Sequence, residues 1–120
     1  MRKIQSHRDL VVWQKSMELA VLIYRLTQQF PNTETYRLVS QITRSAASVP
    51  ANIAEGHARG TRRDYSHFLS IAKGSLMETE TYVLLSERLN YVEQSEARAV
   101  LAMITEISKM ITAIRGRLNA

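Results

Sequence analysis

Arg44-Ser-Ala-Ala-Ser-Val-Pro-Ala-Asn-Ile-Ala-Glu-Gly56 is the stretch on which the reading of this chain turns. Apolar residues at Val39, Ile42, Ala46, Val49 and Ile53 keep a three-then-four spacing through Pro50, so one helix continues across the proline. Pro50 removes a backbone donor and crowds the carbonyl of Ala46, at about 3 kcal/mol in an ordinary helix interior, so the fold must tolerate a bend there. Asn52 and Glu55 follow, and Gly56 frees the backbone to stop. This polar pair reads two ways. Structurally, Asn52 donates to carbonyls freed by the bend, while Glu55 pairs with Arg59 at i+4 or reaches Arg44. Functionally, the pair is a polar site at a subunit seam. Bent helices need local repair of their hydrogen bonds, so Pro50, Asn52, Glu55 and Gly56 are taken as a structural motif.

Outward from the motif, residues 1–8 form a basic arm and residues 9–120 one bundle domain. Helix one spans about 9–30, with Asp9 as N-cap or first-turn carboxylate. It carries two apolar stripes: Trp13, Met17, Ala20 and Tyr24 on one face; Val12, Leu19, Ile23, Leu26 and Phe30 on another. A helix buried on one side of a monomer needs only one stripe, so the second implies either contact with another subunit or a broad bundle face. Pro31 stops this helix, and Asn32 or Thr33 caps helix two, about 34–56. Gly56 and Gly60 are both candidate left-handed stops around the turn that follows. Thr61 caps helix three, about 62–90, with Asp64 in a capping-box-like position. Its inner stripe is Tyr65, Phe68, Ala72, Leu76, Thr79, Val83 and Leu89. Gly74 costs roughly 1 kcal/mol against alanine, and a close approach to the Ser45–Ser48 run would explain it. Ser95 caps helix four, about 95–117, where Val100, Ile104, Ile107, Ile111, Ile114 and Leu118 keep a heptad spacing. Short connections make neighbours antiparallel. The expected fold is all-α, an antiparallel up-down-up-down four-helix bundle.

Composition sets the outer bounds. A chain of 120 residues holds one domain, and four glycines and two prolines suit a helical one. There is no cysteine, which removes disulfides and thiolate metal sites and fits the cytoplasm. The charges at the start have no apolar run behind them, so a signal peptide is not expected. No window approaches the roughly 18 apolar residues of a membrane span.

The formal net charge of +5 is unevenly placed. In an up-down-up-down bundle the N-terminus, the second turn and the C-terminus share one end. That end collects nine cations (Arg2, Lys3, Arg8, Arg59, Arg62, Arg63, Lys109, Arg115 and Arg117) against Asp9, Glu55 and Asp64. Residues 68–108 are acidic on their own. Such a pole suits salt-sensitive contact with phosphate backbone, and Arg59, Arg62, Arg63, Arg115 and Arg117 are the candidates for it. The bland alternative is that cations gather there to complement the dipole of helix four. His7, His57 and His67 also map to this end, but none is spaced i, i+3 or i, i+4 from another. They read as solvated turn histidines rather than metal ligands. No carboxylate dyad, serine–histidine pair or glycine-rich phosphate loop stands out, so neither catalytic residues nor a cofactor is expected.

Several segments resemble the bacterial 23S rRNA-intervening-sequence proteins: Asp9-Leu-Val-Val-Trp-Gln-Lys15, Phe30-Pro31, Gln41-Ile-Thr-Arg44, Ser48-Val-Pro-Ala-Asn-Ile-Ala-Glu-Gly56 and Phe68-Leu-Ser-Ile-Ala-Lys-Gly-Ser-Leu76. They cover residue 9 to about 91 in the family's order; helix four is matched only as an amphipathic helix. The resemblance implies an antiparallel four-helix bundle that assembles as a cyclic pentamer. The family is named for reading frames inside spacers of ribosomal RNA genes, and no shared activity is established. A related group, the accessory proteins of diversity-generating retroelements, looks like a basic pentameric bundle that binds nucleic acid and a reverse transcriptase. The acidic segment at residues 68–108 departs from such a uniformly basic surface. The expectation is a non-enzymatic cytoplasmic homo-oligomer that binds RNA, DNA or a nucleoprotein through its basic end. The alternative is a structural module that contacts a protein partner and no nucleic acid.

Overall fold

The computed structural model describes residues 3–120. Arg2, counted in the basic arm, lies outside the described residues. Four helices make up the fold: α1 (Val11–Leu26), α2 (Leu38–Ala58), α3 (Arg62–Arg88) and α4 (Gln94–Leu118). Short 3-10 turns at His7–Asp9, Thr27–Gln29 and Asn32–Glu34 complete the regular structure among the described residues.

Cross-helix pairs fix the topology. Between α2 and α3, Ser45 meets Thr79 and Ser48 meets Ser75, both at 2.9 Å. Between α3 and α4, Lys73 donates to Thr112 and Arg62 to the carbonyls of Arg117 and Leu118. Lys15 of α1 pairs with Glu106 of α4, and Gln29, in the 3-10 turn that follows α1, pairs with Glu96. In each set one number rises as the other falls, so neighbours are antiparallel and the helices run up, down, up, down. The longest extent, 43 Å, is close to the roughly 40 Å of a helix the length of α3.

Helix boundaries follow local chemistry that periodicity does not carry. Helix one stops at Leu26 instead of continuing to 30. Residues before a proline are pushed out of the α region, and Phe30 is extended ahead of Pro31. Asp9 neither caps nor opens α1. Its carboxylate accepts from the amides of Gln5 and Ser6, closing a capping box on the preceding turn. Neither Asn32 nor Thr33 caps helix two, which begins at Leu38 behind the irregular backbone of Arg37. The buried Glu34 serves instead, accepting from Leu38 N at 3.5 Å and from the Tyr91 hydroxyl at 2.8 Å. Ser95 does not cap helix four; Glu93 does, in a box with Glu96. Thr61 caps α3 as expected, accepting from Asp64 N. That helix ends at Arg88 because Asn90 turns left-handed (φ 61°), with Tyr91 N returning to Ser86 O in a Schellman stop. Leu89, assigned to the inner stripe, is therefore exposed.

Small residues set the α2–α3 seam, but not where the sequence put the glycine. Gly60 is left-handed (φ +83°), whereas Gly56 is helical and buried. A Cβ on Gly56 would sit 2.6 Å from Phe68 Cβ and 3.3 Å from Tyr65 O. Gly74 has nothing within 4 Å of a would-be Cβ; its neighbour Ser75 makes the approach to Ser48. Helix two continues through the buried Pro50. Asn52 donates to Ser48 O and Oγ at 2.8 and 2.9 Å, so its bond falls on Ser48 and not on Ala46, the carbonyl the proline leaves without its donor. Glu55 pairs with Arg59 as expected.

Of the two stripes of helix one, Val12, Leu19, Ile23, Leu26 and Phe30 enter the core with Ile42, Ile53, Leu69, Leu76, Val83, Ile104, Ile107 and Ile111, which leaves Trp13, Met17, Ala20 and Tyr24 as the second. The second stripe lines a surface trough between α1 and α2.

The two mid-helix glycines should respond oppositely to alanine. Gly56→Ala forces backbone or Phe68 to shift, costing about 1–3 kcal/mol. Gly74→Ala should stabilise by about 0.5–1 kcal/mol. Urea melts at low protein concentration read both. At the far end, the Glu34 carboxylate accepting from Tyr91 holds that phenol above the ordinary tyrosine range. The unfolded chain would then release this proton first as pH rises, so stability conferred by the bond is present at neutral pH and lost in strong base. Thermal melts across that alkaline range should fall less steeply in Tyr91→Phe. Some fall will persist, because Lys15 (through Glu106) and Tyr65 (through burial) are raised in the same direction.

Candidate nucleic-acid interface

Two chain stops assemble the basic end. Gly60 closes α2 and Thr61 opens α3, which places Arg62 and Arg63 in the first helical turn. The last turn of α4 arrives beside them with Arg115 and Arg117. Arg62 donates through Nε to Leu118 O (3.3 Å) and through a terminal nitrogen to Arg117 O (2.7 Å). Carbonyls in the last turn of a helix have no intrahelical partner, so Arg62 serves as a cap for α4. Arg115 Nε reaches Ser66 Oγ at 3.4 Å, tying α4 to α3 a turn further in.

A groove of about 540 Å³ opens over this junction, lined by Arg62, Arg63, Ser66, His67, Ser70 and Arg115 with the chain's last turn. Of the five arginines expected to contact phosphate, the groove gathers Arg62, Arg63 and Arg115. Arg59 is engaged elsewhere, 3.5 Å from Glu55 and with its guanidinium 4.9 Å from the centre of the Phe68 ring. Arg117 is exposed outside the groove lining, and its charge opposes the upward push that burial gives the Tyr65 hydroxyl. The guanidinium groups of Arg63 and Arg117 hold no hydrogen bond or ion pair among the described residues, so they are the two free cations of the five. Lys3, Arg8 and Lys109 are exposed and stand outside the groove.

None of the histidines sits free in a turn. His7 packs edge-on against Trp13, His57 against Tyr65 and His67 against Phe68, at centroid distances of 5.1, 5.6 and 5.4 Å. Among the described residues no three His, Asp or Glu side chains converge as a metal site would require. His67, Ser66 and Ser70 are groove residues that the sequence reading did not assign. The signal was present: His67 and Ser70 follow Arg63 by four and seven residues, which is one helix face.

A family model described as "23S rRNA-intervening sequence protein" matches residues 8–113. Among solved structures, the chain is similar to a protein of unknown function from the S23 ribosomal protein family of Bacteroides thetaiotaomicron, solved at 1.70 Å. The two share 31% identity over 88% of this chain and 98% of that one, with a TM-score of 0.79. No curated protein matches the chain.

Arg62 and Arg63 are adjacent but differ in duty. Arg62→Ala uncaps α4 and should lower stability by about 1 kcal/mol, a Tm fall of several degrees. Arg63→Ala should stay within about 0.5 kcal/mol of the parent. Differential scanning fluorimetry on the two variants separates them.

Proposed function

The chain belongs to the 23S rRNA-intervening sequence protein family, and from that premise we propose that it is a non-enzymatic homo-oligomeric bundle that binds RNA or DNA through its basic end. The observation that carries the proposal is the groove where Arg62, Arg63 and Arg115 meet, with Arg117 beside it. Arg63 and Arg117 are free to exchange counterions for phosphate, and Arg115 can add to them without leaving Ser66. Contacts of this kind read the backbone and not the sequence. Arginine is also suited to phosphate because its planar fork presents paired donors. Both the family description and the similar protein's family name point towards ribosomal RNA or the ribosome, which favours RNA as the first ligand to test. The proposed setting is the cytoplasm; no helix among the described residues is long and apolar enough to cross a membrane.

Self-association belongs to the same proposal. Family resemblance suggests five copies, and a closed ring would repeat the basic end on one face. Linked weak sites gain avidity without new contacts. The second reading, a scaffold for a protein partner with no nucleic-acid contact, draws on the apolar trough between α1 and α2.

Fluorescence anisotropy with labelled single-stranded RNA of two unrelated sequences tests the proposal. Affinity should fall steeply with salt, each phosphate contact contributing roughly −0.7 to the log–log slope. Arg63→Glu with Arg117→Glu should weaken both RNAs alike and flatten the slope by about 1.4 per chain if both cations engage. Binding that is absent at low salt, or insensitive to it, would remove the nucleic-acid reading and leave the scaffold.

A further inference from the structure

The large apolar side chains that the helices expose belong to α1 and α3 among the described residues: Val11, Met17, Val21 and Tyr24 on one, Ile71, Leu84 and Leu85 on the other, with Leu89 at its C-cap. Their surroundings differ in shape. Met17, Val21 and Tyr24 form, with Trp13 and Ala20, one wall of a trough of about 490 Å³; the floor and other wall are Ala47, Pro50, Ala51 and Ala54 of α2. The trough exists because α2 offers only small side chains and a proline there. On α3, Ile71, Leu85 and Leu89 are separated by intervals that keep them on one face, with Gly74 and Glu78 between them. These side chains form an exposed apolar ridge, and at Gly74 its backbone is bare, with nothing within 4 Å of a would-be Cβ.

We infer that the α3 ridge of one copy seats in the α1–α2 trough of the next. The inference rests on the self-association proposed above and assigns the two surfaces that mediate it. A trough-to-trough contact would leave Ile71, Leu85 and Leu89 in water, and a ridge-to-ridge contact would leave the trough open; only trough-to-ridge covers both. The lengths are matched: Trp13 to Gln28 spans about 22 Å of helix and Ile71 to Leu89 about 27 Å. Charge agrees as well. Arg25 is exposed on the trough rim without an anionic partner, and Glu78 is exposed on the ridge without a cationic one, among the described residues. A contact between two different patches is heterologous, so it propagates head to tail until a ring closes.

Complementation between two blocked variants tests the pairing. Ala51→Glu puts a charge in the trough and Leu85→Glu puts one on the ridge; both positions are exposed, and circular dichroism checks that each variant folds. By light scattering, wild type should exceed the 13.7 kDa of one chain, and each variant alone should fall to it. Mixed in equal amounts, the two should form a heterodimer of twice the monomer mass and grow no further, because the dimer uses the single intact trough and the single intact ridge and leaves only the blocked surfaces open. An oligomeric wild type whose mass survives Leu85→Glu overturns the pairing while sparing self-association. Two monomeric variants that stay monomeric on mixing also overturn it. A wild type that is itself monomeric at tens of micromolar overturns self-association, and the pairing with it.

Discussion

The close approach of α2 and α3 is the constraint on which the rest of the bundle depends. Gly56 lies against Phe68 with no room for a Cβ, and hydroxyl pairs at Ser48–Ser75 and Ser45–Thr79 continue the seam. Each hydroxyl pair buries polar atoms that are satisfied across the interface, and Thr79 and Ser45 also return bonds to their own helices. Among the described residues no buried side-chain nitrogen or oxygen is left unpaired. Such a seam specifies register more tightly than apolar side chains do, because sliding by one turn would break both cross-helix hydroxyl pairs. With α2 and α3 fixed, the short turn between them can place Arg62 against the last carbonyls of α4.

The basic end is thus partly a structural device. Like charges gathered at one pole of a small bundle repel one another, yet several are held by acceptors: Arg62 by α4 carbonyls, Arg115 by Ser66 and Arg59 by Glu55. The C-terminal ends of α2 and α4 meet the N-terminal ends of α1 and α3 there, so the helix dipoles largely offset one another and these local acceptors carry the compensation. Of the five candidate arginines, Arg63 and Arg117 are the two that no such acceptor holds. An account of the pole as dipole compensation and an account of it as a binding surface therefore concern different arginines.

Much of the fold was legible in the sequence because apolar periodicity survives every local irregularity. The stripe Val12–Phe30 enters the core although its last residue is no longer helical, since Phe30 keeps its place through a 3-10 turn. Caps were harder. Glu34 acts from four residues before α2, and its partner Tyr91 is 57 residues away, so no local pattern marks it. Gly56 and Gly74 show the same limit from another side: both are glycines within helices, and only the neighbouring helix distinguishes a position that cannot hold a Cβ from one that can. Arg62 looked like a phosphate ligand because charge is visible in sequence, whereas the carbonyls it caps belong to a distant terminus.

The two stripes of α1 bring these threads together. One stripe supplied the core, which left the second without a partner in its own chain. Proline in α2 sharpens that situation. Pro50, Ala47, Ala51 and Ala54 are too small to fill the trough that Trp13, Met17 and Tyr24 border, and Pro50 also weakens the helix. A larger side chain at Ala47, Ala51 or Ala54 would close the trough and bury Tyr24 without disturbing the α2–α3 seam, which lies on the opposite side of α2. Stability of the single chain therefore does not explain the smallness of that face. The proposed contact with a second copy would explain it, and the motif from Arg44 to Gly56 would then serve both sides of its helix: glycine and serines towards α3, alanines and proline towards the trough.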